Sequence, residues 1–287
     1  MTRAISGATI VAGVAGSPVA HSLSPVIHNA WIAAAGLDAV YVPFSLPRDG
    51  FARFARGLVG GAVRGLNVTT PFKADALQAA TRASERAVRA GAANLLVFGD
   101  DGGVFADNTD GEGLLAALAA RAPRFETSAA PVTILGAGGA ARGAAAALKE
   151  AGAPEIRIVN RTQSRAGDLA AFIGAPSRAM AADATAFETA QLVVNATTLG
   201  LGGGMGPLAE FAAMRPGAIA LDMVYRPLRT DFLARAARAG LATVDGLEML
   251  IAQAAPSFQA LFGAPPPPID VRSLCAKALG EQVGDSA

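Results

Sequence analysis

The chain has 287 residues, 52% of them hydrophobic, with 24 basic and 23 acidic side chains. At that length two cores of roughly 100 to 150 residues are expected, and a formal net charge of +1 gives no attraction to nucleic acid or to an anionic membrane. The mean hydropathy of +0.38 would fit a membrane protein, but no run of about 18 residues passes without a charge or a Gly/Pro break, so a soluble, cytoplasmic chain with small neutral or anionic ligands is expected.

The first apolar run, residues 8–15, follows Arg3 and precedes Ser17-Pro18-Val19-Ala20, an arrangement that imitates a secretory signal; Gly13 and Gly16 interrupt it, and it reads as a strand. A helix over 25–35 closed by Gly36, a strand over 39–44, a helix around 50–58 and a strand over 65–68 come next. One helix is expected over 74–89, then a hairpin of 94–98 and 104–106 turned at Asp100-Asp101-Gly102-Gly103, then a connecting helix over 111–121. A second set opens with a strand at 132–135, a glycine-rich turn and a helix to about 151. It continues with strand 155–160, helix 163–172, strands 192–195 and 218–224, helix 230–239 and strand 242–244. From Asp245 the chain is helical; Pro256 should kink or break that helix, and after the stiff 265–268 proline run a last helix starts at an Asp270 cap and is expected to pack on the first half. Alternating strands and helices of this kind give an α/β protein with parallel sheets. The lone Cys275 excludes an intramolecular disulfide, fits a reducing compartment and reads as packing. His21 and His28 have no Cys or carboxylate cluster at metal spacing, so no metal is expected.

Gly136-Ala137-Gly138-Gly139-Ala140-Ala141 leaves a strand and opens a helix, where glycines let a pyrophosphate approach the backbone and meet the helix N-terminus. At the end of the following strand, dinucleotide folds carry an Asp or Glu for the ribose 2′-OH when they bind NAD. Here Asn160-Arg161-Thr162 stands instead, with Arg165 one turn on, which suits a 2′-phosphate and favours NADP. Asn195-Ala196-Thr197-Thr198 ends a further strand and would line the same cleft.

Three polar segments of the first half also fall at strand ends, where open α/β sheets gather ligands. Gly16-Ser17-Pro18 leads to His21-Ser22-Leu23-Ser24-Pro25, in which Ser24 has the position of a helix N-cap and Ser22 is the better ligand hydroxyl; His21 and His28 read as hydrogen-bonders that order the loop. In Asn67-Val68-Thr69-Thr70-Pro71-Phe72-Lys73 the alternation puts Asn67 and Thr69 on one face and Lys73 beyond the sheet edge. Asp107-Asn108-Thr109-Asp110-Gly111 supplies a carboxylate at a helix start, which either aspartate could also cap.

These segments, with the Gly136–140 turn, the Asn160 to Arg165 stretch and Asp245-Gly246-Leu247-Glu248-Met249-Leu250 followed by Gln253-Ala254-Ala255, stand in the order typical of shikimate dehydrogenases. The chain resembles that family from residue 16 to residue 255. The resemblance implies an N-terminal α/β substrate domain with a mostly parallel sheet, residues 1–111 with 249–287, and a Rossmann-like NADP-binding domain, residues 112–248. It implies an NADPH-dependent, reversible reduction of 3-dehydroshikimate to shikimate in the chorismate pathway of aromatic amino-acid biosynthesis. Lys73 and Asp110 would be the catalytic pair. Ser22, Ser24, Asn67, Thr69, Asn94, Asp110, Tyr225 and Gln253 would hold the substrate. Glu85, Gly136, Ala137, Gly138, Gly139, Ala140, Asn160, Arg161, Thr162, Arg165, Thr197, Met223 and Gly246 would hold NADP, the chain acting as a monomer or homodimer. Leu95 in place of the usual Thr, Pro256 and Gly202-Gly203-Gly204 depart from the pattern and bear on substrate tolerance. A quinate or aminoshikimate dehydrogenase is the nearest alternative, and a non-catalytic NADP or ligand sensor is the alternative of another class.

Overall fold

The computed structural model describes residues 5–281, which fall into two compact units: residues up to Thr109 together with those from Gln253 onward, and Asp110–Ala252. In chain order the first unit contains β1 (Ile10–Gly16), α1 (Ser24–Ala34), β2 (Ala39–Ser45), α2 (Phe51–Leu58), β3 (Val63–Val68), α3 (Lys73–Ala79), β4 (Arg82–Ala83), α4 (Glu85–Ala90), β5 (Leu95–Phe98) and β6 (Val104–Asp107). Its six strands lie in the order β2-β1-β3-β5-β6-β4. The β1–β2, β1–β3 and β4–β6 pairs are parallel and the β3–β5 and β5–β6 pairs antiparallel. β1 is apolar with its last five residues buried, as an interior parallel strand covered on both faces must be. Phe51, Leu66, Val68, Phe72 and Leu96 form the centre of the core on one side.

The second unit contains α5 (Asp110–Arg121), β7 (Val132–Leu135), α6 (Gly139–Glu150), β8 (Ile156–Val159), α7 (Gln163–Ile173), β9 (Ser177–Met180), β10 (Leu192–Asn195), β11 (Ile219–Asp222), α8 (Asp231–Arg238) and β12 (Ala242–Val244). Its sheet is wholly parallel in the order β12-β11-β10-β7-β8-β9. β7, β8, β10 and β11 are four-residue runs with every residue buried, sandwiched by helices as in doubly wound folds. The strand order reverses between β7 and β10, which makes their carboxyl ends the topological switch point where such sheets bind ligands. α9 (Gly246–Phe262) begins in the second unit and ends in the first, and α10 (Val271–Leu279) packs on α1.

Several local expectations are corrected. The helix expected over 74–89 is two short helices separated by β4. Thr81 Oγ1 accepts the Val104 amide at 2.9 Å and the Ser84 amide donates to the Ala106 carbonyl at 2.9 Å, so an edge strand forms; Ser84 then caps α4 by accepting from Ala87 N at 3.1 Å. Thr and Ser side chains offer the backbone such non-helical partners. β9 is absent from the sequence reading because its Ser-Arg-Ala-Met run is a half-exposed edge with no apolar period. Pro256 does not break α9: it removes one amide, while Leu247, Met249, Ala254, Phe258 and Leu261 are buried on both sides of it, and that packing outweighs the loss.

Ser24 is the first residue of α1 and does not cap it. The N-cap position is Leu23, with no side-chain bond, and it is Ser22 Oγ that accepts the Ser24 amide at 3.3 Å. Asp270 does cap α10, accepting from Ser273 N at 3.0 Å. Cys275 is buried, and desolvation raises its thiol to about 11, which fits packing and not nucleophilic chemistry.

Candidate active site

In the first unit, β1 and β3 are parallel neighbours with Ala15 opposite Val68, so the segments that follow them leave the sheet at the same end. Gly16 makes this possible: a Cβ there would lie 2.5 Å from Thr69 Cγ2. The Ser17 amide donates to the Thr70 carbonyl at 3.0 Å and the Thr69 amide to Ala15 O at 2.9 Å. Ser22 is half-buried and Ser24 buried on the first segment; Thr69 and Lys73 are half-buried on the second. Lys73 opens α3, and its carbonyl accepts the amide of Ala93 at 2.8 Å, which brings the start of α3 beside Asn94.

Behind these residues lies a buried amide and hydroxyl network. Asn94 Nδ2 donates to Thr109 Oγ1 at 2.9 Å and to Gln253 Oε1 at 3.1 Å, while Asn94 Oδ1 accepts the Thr109 amide at 2.8 Å. Thr109 Oγ1 and Ser257 Oγ donate to the Gln253 carbonyl at 3.0 and 3.2 Å. Asn67 Nδ2 donates to Ser257 Oγ at 2.9 Å and to the Asn94 carbonyl at 3.2 Å, and the Tyr41 hydroxyl donates to Asn67 Oδ1 at 2.7 Å. The structure thus unites Asn67, Asn94 and Gln253, and adds Tyr41, Thr109 and Ser257. Thr109 lies within a motif already singled out, but no sequence pattern marks Tyr41 or Ser257.

Asp107 stands beside this network. Burial would raise its carboxyl, but hydrogen bonds from Arg86 and Ser84, the Arg86 charge and the Asn108 amide together hold it below the usual carboxylate range. It therefore anchors α4 and does not cap α5; Asp110, also buried, is the first residue of α5. His28 departs from its expected role. It is wholly buried, neither ring nitrogen has a partner, and desolvation lowers it to about 3. His21 is half-buried. Leu95 is wholly buried in β5, so it acts on the site only through packing. Glu85 is exposed and pairs with Arg89 on α4.

In the second unit the Gly136 to Ala140 turn joins β7 to α6 at the switch point. Gly136 has φ +117, and a Cβ there would stand 3.0 Å from Ala196 O and 3.2 Å from Thr197 Cγ2, so the turn lies against the segment after β10. Gly138 is exposed with open space where its Cβ would be, and no side chain caps the first turn of α6. That leaves a bare helix N-terminus with room for an anion. Thr197 Oγ1 donates to Asn195 Oδ1 at 2.7 Å, and Asn195 Nδ2 donates to Asp222 Oδ1 at 2.8 Å. Asp222 is wholly buried, and desolvation raises it to about 6 against donors from Thr230, Val224 and Asn195. The Met223 amide donates to Asn195 O at 3.0 Å, and buried Gly246 packs on the Met223 backbone. Tyr225 follows β11, half-buried.

After β8, Asn160 Nδ2 donates to the Thr162 carbonyl at 2.9 Å, shaping the turn into α7. Thr162 occupies the α7 N-cap without a side-chain bond, and Arg161 and Arg165 are exposed. Among the described residues neither arginine has a carboxylate partner.

Residues 14–96 match the family model described as shikimate dehydrogenase substrate binding domain, and residues 117–199 the one described as shikimate / quinate 5-dehydrogenase. A shikimate dehydrogenase (NADP(+)) of Caulobacter vibrioides is 61% identical over 284 residues, covering 98% of this chain and 100% of its own. The chain belongs to the shikimate dehydrogenase family. Among solved structures, the shikimate 5-dehydrogenase of Thermus thermophilus in complex with NADP(H) and shikimate has a TM-score of 0.83 at 36% identity, covering 94% of this chain and all of that one. A quinate dehydrogenase of Corynebacterium glutamicum in complex with NAD has the same TM-score at 27% identity, covering 95% of this chain and 99% of its own. Shikimate dehydrogenase family membership thus extends over both units. Among the described residues no helix is long and apolar enough to cross a membrane.

Proposed function

We propose that the chain is an NADP-dependent shikimate dehydrogenase that reversibly reduces 3-dehydroshikimate to shikimate in aromatic amino-acid biosynthesis, as a cytoplasmic monomer or homodimer. The observation that carries this reading is the full-length match at 61% identity to a protein of that name, and the second unit's geometry supports it. A bare α6 N-terminus beside a glycine turn fits a pyrophosphate. Arg161 and Arg165, exposed and free of carboxylates at the end of β8, fit a 2′-phosphate better than a bare ribose. We assign Gly136, Ala137, Gly138, Gly139 and Ala140 to the pyrophosphate, Asn160, Arg161, Thr162 and Arg165 to the adenosine end, and Thr197, Met223 and Gly246 to the remainder of the cofactor. Glu85, exposed and paired on α4, has the weakest geometric support.

Bound NADPH supplies the hydride. The chain's own task is to stabilise the alkoxide that forms when the carbonyl is reduced. Lys73 donates a proton to that oxygen, and Asp110 holds the reacting group and the ammonium in register. Ser22, Ser24, Asn67, Thr69, Asn94, Tyr225 and Gln253 orient the ring. The Asn94 amide arrives pre-ordered by Thr109, and the Gln253 amide oxygen by Asn94 Nδ2, so less freedom is lost when a ring binds.

Oxidation of shikimate with NADP⁺, followed as NADPH absorbance, tests the reading directly, with quinate and NAD⁺ run in parallel. Preference for shikimate and NADP⁺ is expected. A preference for quinate, or no turnover of either acid, would replace the proposal with one of the alternatives, and sedimentation of the same sample gives the oligomeric state.

A further inference from the structure

The hydrogen bonds around Asn67 determine which way round its amide stands. Both amide hydrogens are used within the protein, one on Ser257 Oγ and one on the Asn94 carbonyl, and Oδ1 accepts from the Tyr41 hydroxyl. Reversing the amide would set its oxygen against the Asn94 carbonyl, acceptor against acceptor, so the network admits one orientation. An amide oxygen accepts two bonds, and one is taken. What Asn67 retains for a ligand is therefore an acceptor, with no N–H to give.

The parts that impose this polarity are themselves held. Asn29 clamps the Tyr41 backbone, accepting its amide at 3.0 Å and donating to its carbonyl at 2.8 Å. The Tyr41 ring stacks on His28 at 4.1 Å and 4°, and His28 in turn meets Trp31 and Phe258. Ser257 lies on α9 one turn beyond Gln253 and is fully buried. A hydroxyl so placed has no solvent to turn toward.

We propose that Tyr41 and Ser257 are positioning residues that, together with the Asn94 carbonyl, hold Asn67 as an acceptor, so that the site selects a ring hydroxyl at this point and rejects a carboxylate. The inference rests on the function proposed above. A carboxylate brought to Asn67 Oδ1 would face oxygen with oxygen, whereas a hydroxyl completes the network; a site built to bond a hydroxyl discriminates strongly against a ligand that lacks it.

The test uses the full-length enzyme, Tyr41→Phe and Ser257→Ala, with shikimate and with analogues of it that each lack one non-reacting ring hydroxyl. Wild type should show one analogue with KM raised by about tenfold or more. In Tyr41→Phe, which keeps the ring stack, KM for shikimate should rise about tenfold, KM for NADP⁺ should stay within about twofold, and the penalty on that analogue should shrink because Asn67 Oδ1 loses the phenol that holds it in place. Ser257→Ala should act in the same direction, and Ser257→Thr, which restores a hydroxyl, should recover affinity. Unchanged KM and unchanged discrimination in Tyr41→Phe, whatever its melting temperature, would make the hydroxyl merely structural and overturn the proposal. Equal rises in KM for shikimate and NADP⁺ would do the same. Wild type that fails to oxidise shikimate at all would instead remove the function on which the inference stands, and that assay is read before any variant is made.

Discussion

Replacing Asp107 by Asn tests how the buried carboxylate holds the first unit together. Its Oδ1 accepts from Ser84 Oγ at 2.5 Å, Arg86 Nε at 2.6 Å and the Asn108 amide at 2.8 Å, and its Oδ2 accepts from Arg86 Nη2 at 2.5 Å. In Asp107→Asn the remaining oxygen keeps the neutral donors, but an NH₂ group stands against Arg86 Nη2. Each charge-assisted bond contributes about 1.5–3 kcal/mol. The Asp107 side chain is 10% exposed and Arg86 41%, so solvent screens the pair in part, and a loss of about 2 kcal/mol is expected, or roughly 4–8 °C in Tm. The folded-state pKa of Asp107 lies below its unfolded value of about 3.9. Its stabilisation is therefore complete above that value and disappears as pH falls through the folded pKa. Urea unfolding of wild type and variant should show the gap at about pH 7 and a narrowing gap below about pH 4. A difference under about 0.5 kcal/mol at neutral pH, the range of ordinary surface changes, or one that stays constant into acid, would refute the reasoning.

Three further outcomes follow from the site. Lys73→Ala should lower kcat by about 10² or more, the range for losing a general acid; near-normal kcat would remove Lys73 from the proton step. Arg161→Asp should raise KM for NADP⁺ at least about tenfold through lost charge-assisted bonds and leave NAD⁺ nearly untouched; equal effects on both would reject a 2′-phosphate contact. Because burial raises Asp222 to about 6 in the folded protein, above its unfolded value, its contribution is greatest below about pH 4 and is lost as pH rises to about 6, a change on the order of 3 kcal/mol. Asp222→Asn should flatten the wild-type slope of stability between those values, and identical slopes would show that Asp222 does not titrate there.

Some of the site was legible in the chain because its parts are local. The glycine turn, its strand and its helix are consecutive residues, and the requirement for a backbone without Cβ at Gly136 is met by neighbours that the β7–β10 reversal guarantees. The arginines after β8 are likewise one turn apart. The failures were places where a distant partner decides. Residues 74–89 have helical composition throughout, but Thr81 and Ser84 find the backbone of β6, and nothing near them in sequence announces it. Ser24 has every local credential of a cap, yet the loop puts Ser22 Oγ on the Ser24 amide.

By itself, then, the sequence determined the α/β class, the strands and helices in order apart from β4, β9 and the division of 74–89 into two helices, and the residue types gathered at strand ends, since period, apolar runs and turn residues act over a few positions. It could not determine the state of the polar side chains. Asn67 and Ser257 are 190 positions apart, and only folding converts that separation into a 2.9 Å bond that fixes an amide. His28 reads as a hydrogen-bonder that orders the neighbouring loop, yet tertiary packing strips it of water and partners alike. Asp222 is an ordinary strand-end carboxylate until burial makes its charge costly. Desolvation and long-range pairing depend on what the rest of the chain brings alongside, and that is a property of the tertiary structure.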